Sequence, residues 1–250
     1  MQNIQRIDPA GGRGPSVFNG LRVAVTGGTS GLGLALVREL QSRGARVAFV
    51  ARGRERVAAL ERETPGSAGI VGDISRKDDI HQIALQVLAR LGGLEVLINN
   101  ASDLGPVPLA LLADTECEEL QRALDTNVLG PFRLTRALLG ALAASAREGR
   151  AAVVLNVSSD AAVNPYAGWG AYGASKAALH HLSRIWNAEL AAEGIRFLSL
   201  DPGDMDTPLH QLAVPDADRA TLKRPEAAAR ELLEVTAAAL VGSEEGAVAA

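Results

Sequence analysis

The chain of 250 residues is 47% hydrophobic and 22% charged, with 29 acidic against 25 basic residues and a formal charge of −4. That apolar content excludes disorder along the whole chain, and the length suits an α/β domain with a sizeable core. The mild acidity points away from nucleic acid and anionic membranes, apolar runs are too short and interrupted to span a bilayer, and a single cysteine, Cys117, excludes an internal disulfide or a cysteine-rich metal site.

Polar and charged residues (Gln2, Arg6, Asp8, Arg13) stand where a signal peptide needs an apolar stretch, so a cytoplasmic protein is expected. Residues 1–20 carry Pro9, Gly11, Gly12, Gly14 and Pro15 without periodicity and read as a flexible arm ending near Asn19-Gly20. Residues 21–250 read as one domain. Candidate strands are Arg22–Thr26, Arg46–Ala51, Ala68–Val71, Val96–Asn99, Ala152–Val157 and Arg196–Asp201. Between them lie candidate helices near Leu32–Arg43, Arg54–Glu63, Arg76–Leu91, Glu116–Ala146 and Tyr172–Glu193, with an alanine-rich helix at Pro225–Leu240. Strands alternating with helices predict βαβ units, hence a parallel sheet with helices on both faces in a doubly wound, Rossmann-type α/β fold. A last strand in Val241–Ala250 would be weak.

The run Thr26-Gly27-Gly28-Thr29-Ser30-Gly31-Leu32-Gly33 joins the first strand to the first helix. Glycines let the backbone approach a pyrophosphate, and the helix start behind them offers free N–H groups and a positive dipole end. The same run would also serve as a tight turn without ligand, but its strand–turn–helix setting favours a nucleotide. The second strand ends Val50-Ala51-Arg52-Gly53-Arg54, with no acid to hold a ribose 2′-hydroxyl. A guanidinium there can clamp a 2′-phosphate, so Arg52 favours NADP(H) over NAD(H); otherwise Arg52 and Arg54 are solvated surface groups. Asp73, after the third strand, can accept from an adenine amino group, cap the next helix, or do both.

Tyr172-Gly173-Ala174-Ser175-Lys176 puts a phenol and an ammonium on one helix face. The chain has two tyrosines and three lysines (Lys77, Lys176, Lys223), which weakens a chance pairing. A free phenol titrates near ~10, and a neighbouring cation lowers that value. Upstream, Val153–Val157 is a buried strand followed by Ser158 and Ser159, at the sheet end where ligands bind; a serine there can hold a carbonyl oxygen or simply cap the turn.

These motifs together resemble the short-chain dehydrogenase/reductase family, over about Leu21 to Leu209. The marks are the Thr26–Gly33 turn, Asp73, Asn99-Asn100-Ala101, Asn127, Ser159, Tyr172-x-x-x-Lys176 and Pro202-Gly203-Asp204-Met205-Asp206-Thr207. The resemblance implies Tyr172 as proton donor to a carbonyl oxygen and Ser159, thirteen residues before it, as the group polarising that oxygen. It implies that Lys176 holds the nicotinamide ribose and lowers the tyrosine pKa, and that Asn127 holds a water linking Lys176 to solvent. Cofactor contacts are implied for Gly27, Thr29, Ser30, Gly31, Leu32, Gly33, Arg52, Asp73, Ile74, Asn100, Ala101, Tyr172, Lys176, Pro202, Gly203, Met205 and Thr207. Ser102 replaces the family's usual glycine after Asn-Asn-Ala, and the glycine-rich seventh-strand ending is missing after Leu240.

The loop Pro165-Tyr166-Ala167-Gly168-Trp169 is similar to that of sepiapterin and benzil-type reductases, hinting at a vicinal dicarbonyl or bulky cyclic ketone. Tyr166 and Trp169 would stack on it, or Trp169 would pack under the active-site helix. Leu104–Leu112 would form another wall, and Thr207–Leu222, with His210, a mobile lid. His180-His181 lack further ligands for a metal, and Cys117 near a helix start reads as structural. The expected activity is NADPH-dependent carbonyl reduction on a small molecule. The alternatives are NAD(P)+-dependent alcohol oxidation and a non-catalytic NADP(H)-binding redox sensor. Apolar faces on Glu116–Ala146 and Tyr172–Glu193, which the family commonly pairs between subunits, imply a homodimer or homotetramer.

Overall fold

The computed structural model describes residues 16–242. Short runs rich in valine, isoleucine and alanine form six parallel strands: β1 (Arg22–Thr26), β2 (Arg46–Ala51), β3 (Ala68–Val71), β4 (Val96–Asn99), β5 (Ala152–Val157) and β6 (Ile195–Leu200). Their order is β3-β2-β1-β4-β5-β6. Successive residues point to opposite faces, and both faces are apolar because both are covered. Val23, Val25, Phe49, Ile98 and Leu155 face α1 (Gly31–Ser42), α2 (Arg54–Glu63) and α8 (Pro225–Val241). Ala24, Ala48, Val50, Leu97 and Val154 face α3 (Lys77–Leu91) and α5 (Gly130–Arg147), with Trp186 and Leu190 of α6 (Gly170–Leu190) packed alongside. Two shorter helices, α4 (Cys117–Leu124) and α7 (Pro208–Ala213), lie near the carboxyl end of the sheet. The strand order reverses between β1 and β4, so a crevice opens outside their carboxyl ends.

Four expectations are corrected. The arm does not extend to residue 20: Phe18 is 1% exposed, packs into the α1–α8 core, and lies under the Arg43 guanidinium at 5.7 Å. Residues 1–15 of the expected arm lie outside the described residues. The segment Glu116–Ala146 is not one regular helix. Pro131 has no N–H to donate, and Gly130 N reaches back five residues to Asp125 O, giving a π turn over Asp125–Leu129 between α4 and α5. The helix carrying Tyr172 begins at Gly170, two residues earlier than expected. Cys117, expected to be structural near a helix start, does begin α4 but is exposed, so no burial supports a structural role. The weak seventh strand expected at the tail falls mostly on residues 243–250, outside the described residues.

Candidate active site

The glycine turn is held from both sides of the crevice. Gly27 N and Gly28 N donate to Val50 O at 2.8 and 3.2 Å. Gly27 has φ +70°, and a Cβ there would come 2.9 Å from Ala101 Cα. A Cβ on Gly33 would lie 2.1 Å from Gly27 O, so only glycine lets α1 pack this close behind β1. Thr26 Oγ1 accepts from Asn100 N at 3.0 Å and Ala101 N at 3.1 Å, while Asn100 Nδ2 donates to Thr26 O at 2.9 Å. Asn100 therefore locks the end of β4 to the turn. The Ser30 side chain makes no capping bond to α1, and no acid sits in its first turn. Those N–H groups and the dipole end remain available to an anion.

A cleft of about 390 Å³ runs from β2 across this turn to α6. It brings together Gly27, Thr29, Ser30, Gly31, Leu32, Gly33, Arg52, Asp73, Ile74, Asn100, Ala101, Tyr172, Lys176, Pro202, Met205 and Thr207. Gly203 lies instead in an adjoining cavity of about 460 Å³, together with Ser159; Ser158 and Tyr172 touch both. Beside Arg52 the cleft is lined by Arg56, not Arg54, because the first turn of α2 leaves Arg54 exposed outside it. Arg56 was missed by sequence reasoning; three arginines within five residues (Arg52, Arg54, Arg56) were its only signal. Asp73 Oδ1 accepts from Ser75 N at 3.0 Å and Ser75 Oγ at 2.7 Å, so it shapes the turn while still lining the cleft. The combination suits a dinucleotide: cations at one end, uncommitted N–H groups in the middle, a phenol and an ammonium at the other end.

Tyr172 and Lys176 lie one turn apart on α6, 8% and 2% exposed. Lys176 Nζ sits 5.5 Å from the Tyr172 ring centroid and donates to Val157 O at 2.8 Å. Burial pushes the Tyr172 phenol up to about 12, against the hydroxyls of Ser159 and Ser102, which favour the phenolate. Burial pulls the Lys176 ammonium down to about 8, with Asp201 acting in the opposite sense. The expected lowering of the tyrosine by the lysine does not arise in the protein alone, where desolvation favours the neutral form of each group. Ser159 Oγ, beside the phenol, accepts from Ala161 N and donates to Asp160 Oδ1, both at 3.2 Å.

Asn127 sits inside the π turn and is 1% exposed. Its Nδ2 donates to Asp103 O at 2.7 Å and Ser175 Oγ at 2.8 Å, and its Oδ1 accepts from Asp103 N at 2.8 Å and Ser102 Oγ at 3.1 Å. All four bonding positions of the side chain are thus taken by protein groups. The water-holding role expected of Asn127 does not belong to its side chain, which instead fixes the loop after β4 against α6. Ser102, in place of a glycine, joins that network directly.

The adjoining cavity is floored by Leu104, Ala161, Trp169, Leu209 and Ala213. Trp169 meets Tyr172 edge-on at 5.6 Å between centroids, so it packs against the active-site helix and lines the cavity at once. Tyr166 is half-exposed and donates to Asp160 Oδ2 at 2.7 Å. The expected lid contains α7, capped by Thr207 Oγ1 on His210 N at 3.2 Å. Its two ends are joined where Lys223 N donates to Asp204 O and Asp206 N donates to Lys223 O, both at 3.0 Å.

A doubly wound sheet with this turn and this Ser–Tyr–Lys arrangement defines a nucleotide-binding oxidoreductase. Residues 22–218 match the short chain dehydrogenase family, and the chain belongs to it. Members act on a carbonyl/alcohol pair with a nicotinamide dinucleotide, and this chain is such an oxidoreductase. It is 29% identical over 235 residues to the L-fucose dehydrogenase of Mus musculus, covering 91% of this chain and 84% of that one. A short chain dehydrogenase structure from Pseudomonas syringae, described as putative, superposes with a TM-score of 0.82 at 28% identity, over 94% of each chain. The 3-ketoacyl-(acyl-carrier-protein) reductase of Brucella melitensis, solved with NADH, superposes with a TM-score of 0.81 at 26% identity, covering 92% of this chain and 94% of that one. Among the described residues no helix is long and apolar enough to cross a membrane.

Proposed function

We propose that this protein is an NADP(H)-dependent carbonyl reductase. The observation that carries the cofactor preference is the pair Arg52 and Arg56 at the β2 end of the cleft, where the residue that ends β2, Ala51, is not an acid. Two guanidinium groups would repay a 2′-phosphate with charge-assisted bonds. When bound, the reduced cofactor supplies hydride to the carbonyl carbon. Ser159, its hydroxyl turned from Asp160, and Tyr172 would hold the carbonyl oxygen between two hydroxyls, which stabilises the negative charge growing there. The Tyr172 hydroxyl proton then passes to that oxygen, completing the alcohol. Lys176, on the same helix face, would hold the ribose hydroxyls and offset the phenolate left behind. Asn127 orders the loop that carries Ser102 and Asp103. Tyr166 and Trp169 on the cavity wall support a bulky cyclic ketone or vicinal dicarbonyl, as in sepiapterin and benzil-type reductases.

Alcohol oxidation is the second reading, favoured by the dehydrogenase name of the mouse relative; it runs the same proton transfer backwards. We also propose a cytoplasmic homodimer or homotetramer, supported by exposed Ile185 of α6 and by the half-buried Phe132 of α5 and Trp186 of α6 beside it, the latter stacked on the buried Phe197 of β6.

The test is steady-state turnover of diketones, pterin-like ketones, quinones and 3-oxoacyl thioesters with NADPH and with NADH. Wild-type protein should prefer NADPH, and Arg52→Ala or Arg56→Ala should lower kcat/KM for NADPH by about tenfold or more, leaving NADH within a few-fold. Equal use of both cofactors by the wild type would overturn the preference. Tight NADPH binding without turnover in either direction would favour the redox-sensor reading.

A further inference from the structure

The cavity beside Tyr172 has an apolar floor but an acidic rim. Asp160, Asp201 and Asp204 all line it, and all three residues are exposed. Asp160 is held in place by the hydroxyls of Tyr166 at 2.7 Å and Ser159 at 3.2 Å, and Asp201 Oδ1 accepts from Gly203 N at 2.9 Å. Among the described lining residues there is no lysine or arginine. Two cations of the neighbouring segment are already engaged by acids of their own: Arg219 Nε lies 2.9 Å from Asp206 Oδ1, and Lys223, whose ammonium lies beside Gly203, has Nζ 2.6 Å from Glu231 Oε2. Lys176 is buried on the cofactor side and donates to Val157 O. The imidazole of His210 faces the rim with Nε2 4.0 Å from Asp204 Oδ1.

We propose that this cavity selects uncharged carbonyl compounds, and their alcohols, against carboxylates and phosphate-bearing ones. The inference rests on the carbonyl/alcohol reading of the same site and sharpens it. An anionic substrate would enter a partly apolar space with three like charges at its mouth, and the one ammonium beside the rim, Lys223, is paired with Glu231; like-charge juxtaposition disfavours binding. A neutral substrate meets no such repulsion, and its hydroxyl or amide N–H groups can donate to Asp160 or Asp201. Because the rim is exposed, the discrimination is screened by salt, which separates it from simple steric exclusion.

The experiment uses matched pairs. Methyl benzoylformate and benzoylformate are compared as substrates, and benzamide and benzoate as unreactive ligands, titrated by tryptophan fluorescence on the protein loaded with NADPH. The neutral member should be favoured about tenfold at low ionic strength in both pairs, with the ratio shrinking in about 0.5 M salt. Asp204→Lys should move both ratios toward the acid, which the higher intrinsic reactivity of an ester cannot explain. Equal or tighter binding of benzoate, with no dependence on salt, would overturn the charge selection while leaving carbonyl reduction intact. Preference for benzamide with turnover of neither ketone would uphold the charge selection and count against the carbonyl reading.

Discussion

The two ends of the sheet both bury charged groups, and they treat them in opposite ways. At the amino end, Glu95 before β4 is 1% exposed and meets Arg22 at the start of β1 through the side-chain Nε at 2.9 Å and the backbone N at 2.7 Å. Ser145 Oγ lies 3.3 Å and Arg150 Nε 3.4 Å from the same carboxylate. Burial alone would raise the Glu95 carboxyl, but the Arg22 hydrogen bonds hold it below the usual range. Hydrogen bonding to Glu95 likewise raises Arg22. At the carboxyl end, burial wins for both Tyr172 and Lys176. The first cluster is complete without a ligand, whereas the second keeps its ammonium on a single backbone carbonyl. Stability is concentrated at one end and reactivity at the other.

The comparison breaks if the ends respond alike. Tyr172→Phe should lower kcat by about a thousandfold, keep NADPH affinity within a few-fold and leave the fold at least as stable. Near-wild-type turnover would remove Tyr172 as the proton donor. Glu95→Ala should do the reverse, costing about 3 kcal/mol in urea unfolding because Arg22 is left without its counter-charge, with kcat unchanged. The sign with pH follows from the depressed Glu95 pKa. Its contribution is full above the unfolded value of 4.5 and is lost as pH falls through the folded one, so wild type and variant should converge in acid. Lys176→Met tests the other sign. The folded pKa of about 8 lies below the unfolded 10.5, so wild type should gain stability relative to the variant, on the order of 2 kcal/mol, as pH rises through that window. A gap that stays flat from pH 8 to 10.5 would show that Lys176 is not strained by burial.

The same contrast explains what the sequence made legible. Strands buried on both faces read as short apolar runs, so five of the six bounds agree and β6 is offset by one residue. Residues whose function needs a special backbone were also visible: Gly27 and Gly33 announce themselves because no side chain fits there. Contacts made across the fold were not. Phe18 looked like part of an arm because its partners, Arg43 and the α1–α8 core, come from later segments. Arg56 depends on how α2 turns after β2, and the π turn around Asn127 on Pro131 breaking the ladder within an otherwise helical pattern. The pKa directions of Tyr172 and Lys176 depend on burial depth, which a Tyr-x-x-x-Lys spacing does not carry.

Ser102 gives the smallest effect and the finest test of the carboxyl end. Its hydroxyl donates to Asn127 Oδ1 at 3.1 Å and, when turned toward the phenol instead, favours the Tyr172 phenolate. Removing it leaves burial less opposed, so the phenol should hold its proton more firmly. Reduction, which starts from the protonated phenol, should change little. Oxidation, which needs the phenolate, should slow by a few-fold at a fixed pH near ~8, a loss recovered at higher pH. Ser102→Gly restores the residue usual in the family but frees the loop, whereas Ser102→Ala removes only the hydroxyl. Both should show the same split between directions. If only the glycine variant slows, and slows both directions equally, Ser102 acts by stiffening the loop after β4, and the phenol is governed by burial and Ser159 alone.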